Sequence, residues 1–440
     1  MFNNYKKIRR VALATVGCKV NQYETELLRE QFSQAGFRIV PFKEKADLYL
    51  INTCTVTEWA DQTSIKLIKE AKKRNESCFV VVTGCYAEAK GDELKEKFPW
   101  VKLVIKNKDK LRAVQIVTGN GKPSTTRTLI SSFYGHSRAF VKIEDGCDEF
   151  CAYCKIPYVR GSQVRSRDPD EVLQEVKNLA EGGFKEIVLT GVNLGLYGRD
   201  FPSRISLVDL LKKIESLPIE ARIRLSSLEP HLIDPELIDL IATSPRICRH
   251  LHLPLQSGDS EILKRMGRKY TPEDYRKLLI KIRRKIPSIA ITTDVMVGFP
   301  GEKEHHFQNT LRFVEETRFS RLHVFRFSPR EGTRAFSMRS WVDEKTKRER
   351  SRVLRELGKR LTEEFILRFL GSTLTVLVEN RRDSKTGLLC GYTDNYIRVL
   401  VEGDESLKNK LVMVKLTEVV DGVARGKVIY ETAAKAARFK

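Results

Sequence analysis

EDGCDEFCAYC, residues 144–154, places Cys147, Cys151 and Cys154 in a CxxxCxxC spacing directly after an apolar run, RAFVKI (138–143). Thiolates are the soft ligands that iron–sulfur clusters take, and a [4Fe–4S] cube normally uses four of them. Three close cysteines hold three irons and leave the fourth open to a cofactor or substrate atom. Structural zinc is the alternative, but it needs a fourth local ligand, and no further His or Cys lies nearby in sequence.

Moving toward the C-terminus, the run at 138–143 opens a series of strand candidates: EIVLT (186–190), RIRLSS (222–227), HLHLPL (250–255), AITTDVMV (290–297) and RLHVFRFS (321–328). Helical stretches separate most of them. One is well signposted, with Asp168 as N-cap, Pro169 at the first helical position and Gly182-Gly183 as its stop. Six β/α units are too few for a closed eight-stranded barrel. A partial (β/α)6 barrel over 131–368 is the preferred reading, with a long doubly wound sheet as the alternative.

Toward the N-terminus, residues 1–130 alternate strand and helix patterns, which predicts a doubly wound parallel α/β sheet. Strand candidates are VALATV (11–16), DLYLINT (47–53) and FVVVTG (79–84), and a polar linker follows at 118–128. Cys18, Cys54 and Cys85 each fall at the end of one of these strands, about one βαβ unit apart. Carboxyl ends of parallel strands face one crevice, so these three thiols should converge as a second cluster site. Cys78, Cys248 and Cys390 read as buried structural cysteines.

After a charged connector helix from Asp343 to about Arg368, four short strand-like runs separated by turn signals predict a small all-β barrel of the oligonucleotide-binding kind over 369–440. The 440-residue chain carries a formal charge of +22, which favours a polyanionic partner. An odd count of nine cysteines argues against a disulfide framework. No stretch is long enough for a membrane span or a signal core, so a cytoplasmic protein without membrane association is expected. There is no Ser/His/Asp set and no HExxH; His305-His306 reads as solvated, and His252 as either a pocket or a core residue.

TVGCKVNQYET (15–25), INTCTVTEWA (51–60), TGCYAE (83–88), EDGCDEFCAYCKIPYVRG (144–161), LTGVNLGLYG (189–198), LHLPLQSG (251–258) and TTDVMVGFPGE (292–302) together resemble, in order, the blocks of the radical-SAM methylthiotransferase family. The C-terminal β module resembles its RNA-binding TRAM domain. The resemblance implies two [4Fe–4S] clusters and S-adenosylmethionine (SAM). One SAM methylates a sulfur species at the N-terminal cluster. A second, cleaved at the Cys147/Cys151/Cys154 cluster, yields a radical that takes hydrogen from C2 of a tRNA adenosine, where a methylthio group enters. It also implies a sulfur donor and an electron donor such as flavodoxin or ferredoxin.

Tyr153 matches the family position whose backbone meets the adenine of SAM. Gly191 and Asn193 follow the second barrel strand, where the family contacts the methionyl group. Ser226, Gln256 and Asp294 lie at or near strand ends, where barrel sites assemble, and are further cofactor candidates. GCKVNQYET and SPREGTRA (328–335) resemble most closely the branch acting on N6-threonylcarbamoyladenosine at tRNA position 37, although Arg334 stands where that segment more often has proline. Arg330 and Arg334 are candidates for its carboxylate, and Arg381, Arg382, Arg398 and Lys415 for RNA phosphates. Isopentenyladenosine in tRNA and a ribosomal-protein aspartate remain alternative substrates. A non-catalytic metal-binding RNA-binding protein is the alternative class.

Overall fold

Every residue of Leu48–Thr53 is buried, and its neighbours are nearly so, the pattern of a strand covered on both faces. In the computed structural model, which describes residues 8–119, 129–203 and 205–429, these runs form a parallel sheet. Its strands are β1 (Arg10–Thr15), β2 (Arg38–Val40), β3 (Leu48–Thr53), β4 (Phe79–Gly84) and β5 (Val101–Ile105), in the order β2-β1-β3-β4-β5. Alternate residues feed opposite cores: Ala12, Tyr49, Ile51, Val80 and Val82 on one face, Val11, Leu13, Leu48, Leu50 and Val81 on the other. The three strands that carry cysteines at their ends are therefore the three central ones.

The second unit holds six parallel strands: β6 (Ala139–Lys142), then, past the two-residue pair β7 (Glu144–Asp145) and β8 (Arg165–Ser166), β9 (Glu186–Thr190), β10 (Arg222–Leu225), β11 (His250–His252), β12 (Ala290–Val297) and β13 (Arg321–Arg326). They form two three-stranded sheets, β10-β9-β6 and β11-β12-β13, linked by parallel bridges Ile223↔Ile247 and Ser227↔His252. The strands follow sequence order without the reversal that a doubly wound sheet requires, which is the order of a partial barrel. Asp168 caps its helix by accepting from the amides of Asp170 (2.9 Å) and Glu171 (3.3 Å), and the helix Pro169–Glu181 stops at Gly182. His306 departs from the solvated reading: it is buried, accepts from the Lys303 amide at 3.0 Å and faces Glu261 at 3.2 Å.

A 24-residue helix, Glu344–Leu367, leads to a closed five-stranded barrel of β14 (Thr373–Arg382), β15 (Leu389–Thr393), β16 (Arg398–Val401), β17 (Leu411–Val420) and β18 (Val423–Val428), ordered β14-β15-β16-β18-β17. Strand β15, with a glycine in its middle, has no counterpart among the strand runs read from sequence. β2 and β5, short strands at the two edges of the first sheet, have none either. The linker expected at 118–128 lies, from residue 120 on, outside the described residues. Among the described residues no helix is long and apolar enough to cross a membrane.

The small barrel is seated on the larger one. Arg222 donates to the Tyr392 carbonyl (2.7 Å), and Arg224 to those of Asp394 (2.8 Å) and Thr393 (3.0 Å), while buried Glu186 accepts from both arginines. Tyr396 lies over His250 at 4.6 Å and beneath the Arg224 guanidinium, also at 4.6 Å.

Candidate functional site

Cys18 is the N-cap of the helix Lys19–Gln34, Cys54 directly follows β3, and Cys85 opens the helix Cys85–Lys97 after β4. Gly17 and Gly84 show how closely the three ends meet. A Cβ on Gly17 would fall 2.6 Å from Cys54 Sγ, and one on Gly84 would fall 2.3 Å from the Thr53 carbonyl; both glycines have positive φ. Buried Asn21 braces two of the loops, donating from Nδ2 to the carbonyls of Val16 (2.8 Å) and Thr53 (3.0 Å). The thiols predicted to converge are thus brought to one crevice.

In the second trio, Cys147 donates its amide to the Gly161 carbonyl (3.2 Å). Ala152, between Cys151 and Cys154, donates to the Met266 carbonyl and accepts from the Ala335 amide, both at 2.8 Å. Arg268, which the sequence reading did not single out, donates to Cys151 Sγ at 3.1 Å and is ion-paired with Glu229. Tyr153 packs on the cluster of Ala152, Ile262, Met266 and Phe299.

Both trios suit iron–sulfur clusters. Burial pushes Cys54, Cys147 and Cys154 up to about 12, so these thiols keep their protons near neutral pH unless a metal displaces them. Among the described residues, only His252, Asp294 and His323 bring three metal-ligand atoms mutually within 4.8 Å. In each cysteine trio at least one pair of sulfurs is therefore wider than the ~3.8 Å edge of a single zinc tetrahedron. A cube, whose thiolates sit on separate irons, takes the wider spacing.

The strand ends beside the second trio carry buried polar atoms without a protein partner: Glu144 Oε1, Asn193 Nδ2 and Ser226 Oγ. The other oxygen of Glu144 accepts from the Asn193 amide at 2.8 Å, and the Leu194 amide donates to the Ser227 carbonyl at 3.2 Å, so these ends adjoin. Buried polar groups are satisfied by ordered water or by a polar ligand, and the amino acid part of SAM presents an ammonium and a carboxylate that suit these atoms. Burial pushes Glu144 up to about 8 against the hydrogen bond from Asn193. Gly191 is required because a Cβ there would fall 2.6 Å from Glu144 Oε2. Gln256, at φ +66°, donates its amide to the Asp294 carbonyl at 2.8 Å and accepts from the Met296 amide at 2.8 Å. The Asp294 carboxylate stands between His323 (3.2 Å) and His252 (3.4 Å). Burial would raise its pKa, but the two imidazoles outweigh that and hold it well below the usual range. Asp294 is thus engaged by two histidines.

The expected carboxylate handle divides. Arg330 is committed across the domain boundary, donating to Asp61 Oδ2 at 2.5 Å and to Ser328 Oγ at 3.1 Å. A carboxylate of the protein itself, on half-buried Asp61, thus already pairs with this guanidinium, and a substrate carboxylate would have to share or displace it. Arg334 is exposed beside the second trio and donates to the Phe150 carbonyl at 3.2 Å. In the small barrel, Arg381 and Lys415 are exposed. Arg382 pairs with Glu405 (2.8 Å) and Arg398 with Asp383 (2.7 Å), so these two meet phosphate only by exchanging partners. A larger cationic feature lies outside the expected set. A groove of about 570 Å³ along the connector helix is lined by Arg326, Arg348, Arg352, Arg355 and Lys359 with Ser351 and Glu356, Arg326 pairing with Glu344 (3.3 Å) and Arg352 with Glu356 (2.7 Å). It shares Arg355 and Lys359 with a cleft of about 290 Å³ that reaches Arg321 and Arg398.

Comparison with known proteins follows the same three units. Residues 10–106 match the uncharacterized protein family UPF0004, 141–314 the radical SAM superfamily and 367–429 the TRAM domain. The threonylcarbamoyladenosine tRNA methylthiotransferase MtaB of Bacillus subtilis is 39% identical, covering 92% of this chain and 93% of that protein. MtaB of Thermotoga maritima is 40% identical over 89% of this chain and 91% of its own length. The tRNA-2-methylthio-N(6)-dimethylallyladenosine synthase of Alkaliphilus oremlandii is 35% identical over 97% and 94%. Among solved structures, the radical S-adenosylmethionine methyltransferase TsrM of Kitasatospora setae superimposes with a TM-score of 0.55 at 16% identity, over 75% of this chain and 77% of that one, a likeness of fold alone. With relatives of this identity spanning nearly its whole length, the chain belongs to the radical-SAM tRNA methylthiotransferase family.

Proposed function

We propose that this enzyme adds a methylthio group to C2 of N6-threonylcarbamoyladenosine at position 37 of tRNA. Cys18, Cys54 and Cys85 hold one [4Fe–4S] cluster, and Cys147, Cys151 and Cys154 hold a second that binds SAM. The observation that carries the reading is the pair of cysteine trios, each collected at the carboxyl end of its own parallel sheet. When bound, the clusters and SAM would supply reductive SAM cleavage and a site that holds the sulfur species to be methylated and transferred. The protein binds, orients and excludes water. Asn193, Ser226 and Glu144 would hold the methionyl end of SAM with their unpaired atoms, and the Tyr153 segment would meet its adenine. The cationic groove and cleft suit the phosphates of a folded RNA. An electron donor of the flavodoxin or ferredoxin type, a sulfur donor and a cytoplasmic setting complete this reading.

The threonylcarbamoyl branch is favoured by identities of 39–40% to its members, against 33–36% to dimethylallyladenosine synthases. Arg334 supplies the cation that recognises the threonyl carboxylate. Anaerobic reaction with threonylcarbamoylated, isopentenylated and unmodified tRNA, followed by nucleoside mass analysis, tests both statements. Product from the threonylcarbamoyl form, with Arg334→Ala raising KM about tenfold for that tRNA alone, is expected. Product from the isopentenylated form alone overturns the assignment.

A further inference from the structure

Arg160 ends the PYVR segment six positions beyond Cys154, and its guanidinium leaves its own domain. Nη1 donates to Glu24 Oε1 (3.0 Å) and to both oxygens of Asp145 (3.1 Å each). Nη2 donates to Glu24 Oε2 (3.0 Å) and to Asn21 Oδ1 (2.6 Å). The same Asn21 holds the carbonyls that precede the Cys18 and Cys54 loops. On its other side, the neighbouring Gly161 carbonyl accepts the Cys147 amide. A continuous chain of buried hydrogen bonds therefore runs from the second trio through Arg160 to the first.

The charges around it do not cancel. Lys110 pairs with Glu24 at 2.6 Å, and Lys142 with Glu24 at 2.9 Å and Asp145 at 3.1 Å, so Arg160 and two lysines stand against two carboxylates. Arg160, Glu24 and Lys110 are almost wholly buried. An excess buried cation is costly unless an anion lies close, and a cluster on Cys18, Cys54 and Cys85, whose loops are braced by the same Asn21 that Arg160 holds, would be that anion.

We propose that Arg160 is a positioning residue that fixes the separation of the two cysteine trios and offsets the negative charge of the cluster on Cys18, Cys54 and Cys85. The proposal rests on the reading that each trio holds a cluster. The planar fork explains why arginine serves here: its two terminal nitrogens reach two carboxylates and an amide oxygen at once, which a single ammonium does not match.

The test uses the full chain, reconstituted anaerobically with iron and sulfide, with Cys147, Cys151 and Cys154 replaced by alanine so that only the first cluster is seen. Its potential is followed by electron paramagnetic resonance during a redox titration. Arg160→Gln removes a cation and shifts the midpoint to more negative values. Glu24→Gln removes an anion and shifts it the opposite way, whereas mere loosening would move both variants alike. Arg160→Lys keeps the charge and the midpoint. With both trios intact, that variant is expected to lower the methylthioadenosine formed per 5′-deoxyadenosine released at least tenfold. Unchanged or same-direction midpoints overturn the charge role, and an unchanged product ratio overturns the spacing role. If Arg160→Gln does not fold, Glu24→Gln and Arg160→Lys decide by the same criteria. Absence of any cluster in the parent with only the first trio overturns the two-cluster reading instead, whatever Arg160 does.

Discussion

Cys18, Cys54 and Cys85 lie one domain away from Cys147, Cys151 and Cys154, so each set can be removed while the other keeps its own backbone supports. Replacing the second set with alanine is expected to halve the iron and abolish reductive SAM cleavage. Replacing the first also halves the iron but leaves cleavage measurable as 5′-deoxyadenosine. Iron unchanged by loss of the first set would refute the convergence of those thiols on a cluster. All six cysteines were legible in the sequence because each follows an apolar strand run or a tight local spacing. Arg268 and Arg160 were not singled out, although Arg160 lies within the PYVRG block, since their partners Cys151 and Glu24 stand 117 and 136 positions away. Arg330 was singled out, but its pairing with Asp61, 269 positions away in the first domain, was hidden for the same reason.

At the scale of elements, the helix Glu344–Leu367 does more than connect. Arg348, Arg352, Arg355 and Lys359 recur at spacings of four, three and four, which sets them on one face. That face lines the groove beside β13. Replacing Arg348, Arg355 and Lys359 with alanine is expected to weaken tRNA binding uniformly across sequences and to reduce the salt slope by up to about 0.9 for each phosphate that is no longer neutralised. Filter binding over a salt series reads both, and an unaltered slope would assign the groove no phosphates. The charged periodicity was visible beforehand, but its function was not, because a solvated face and an RNA-facing one have the same pattern. Buried strands such as Glu186–Thr190 were read correctly from continuous apolar runs. Short edge strands such as Arg38–Val40 carry too few residues to show any period.

For the whole molecule, the seat of the small barrel on the large one governs acid resistance. Burial alone would raise Glu186, but Arg224 and Arg222 outweigh it and hold the carboxyl well below its usual range. A glutamate in the unfolded chain titrates near about 4.3. The contribution of Glu186 is therefore complete above that pH and is lost as pH falls toward its depressed folded value. Glu186→Gln is expected to lower stability near neutrality and to flatten the loss of stability below about pH 4.3, measured by circular dichroism during acid unfolding. An unchanged acid limb would remove Glu186 from the interface energetics. The same seat orders events during synthesis. The acceptors for Arg222 and Arg224 are carbonyls some 170 residues downstream, and domains acquire structure as they leave the ribosome. While this stretch is translated, Arg222 and Arg224 have Glu186 and water as partners, and their carbonyl acceptors arrive only with the small barrel.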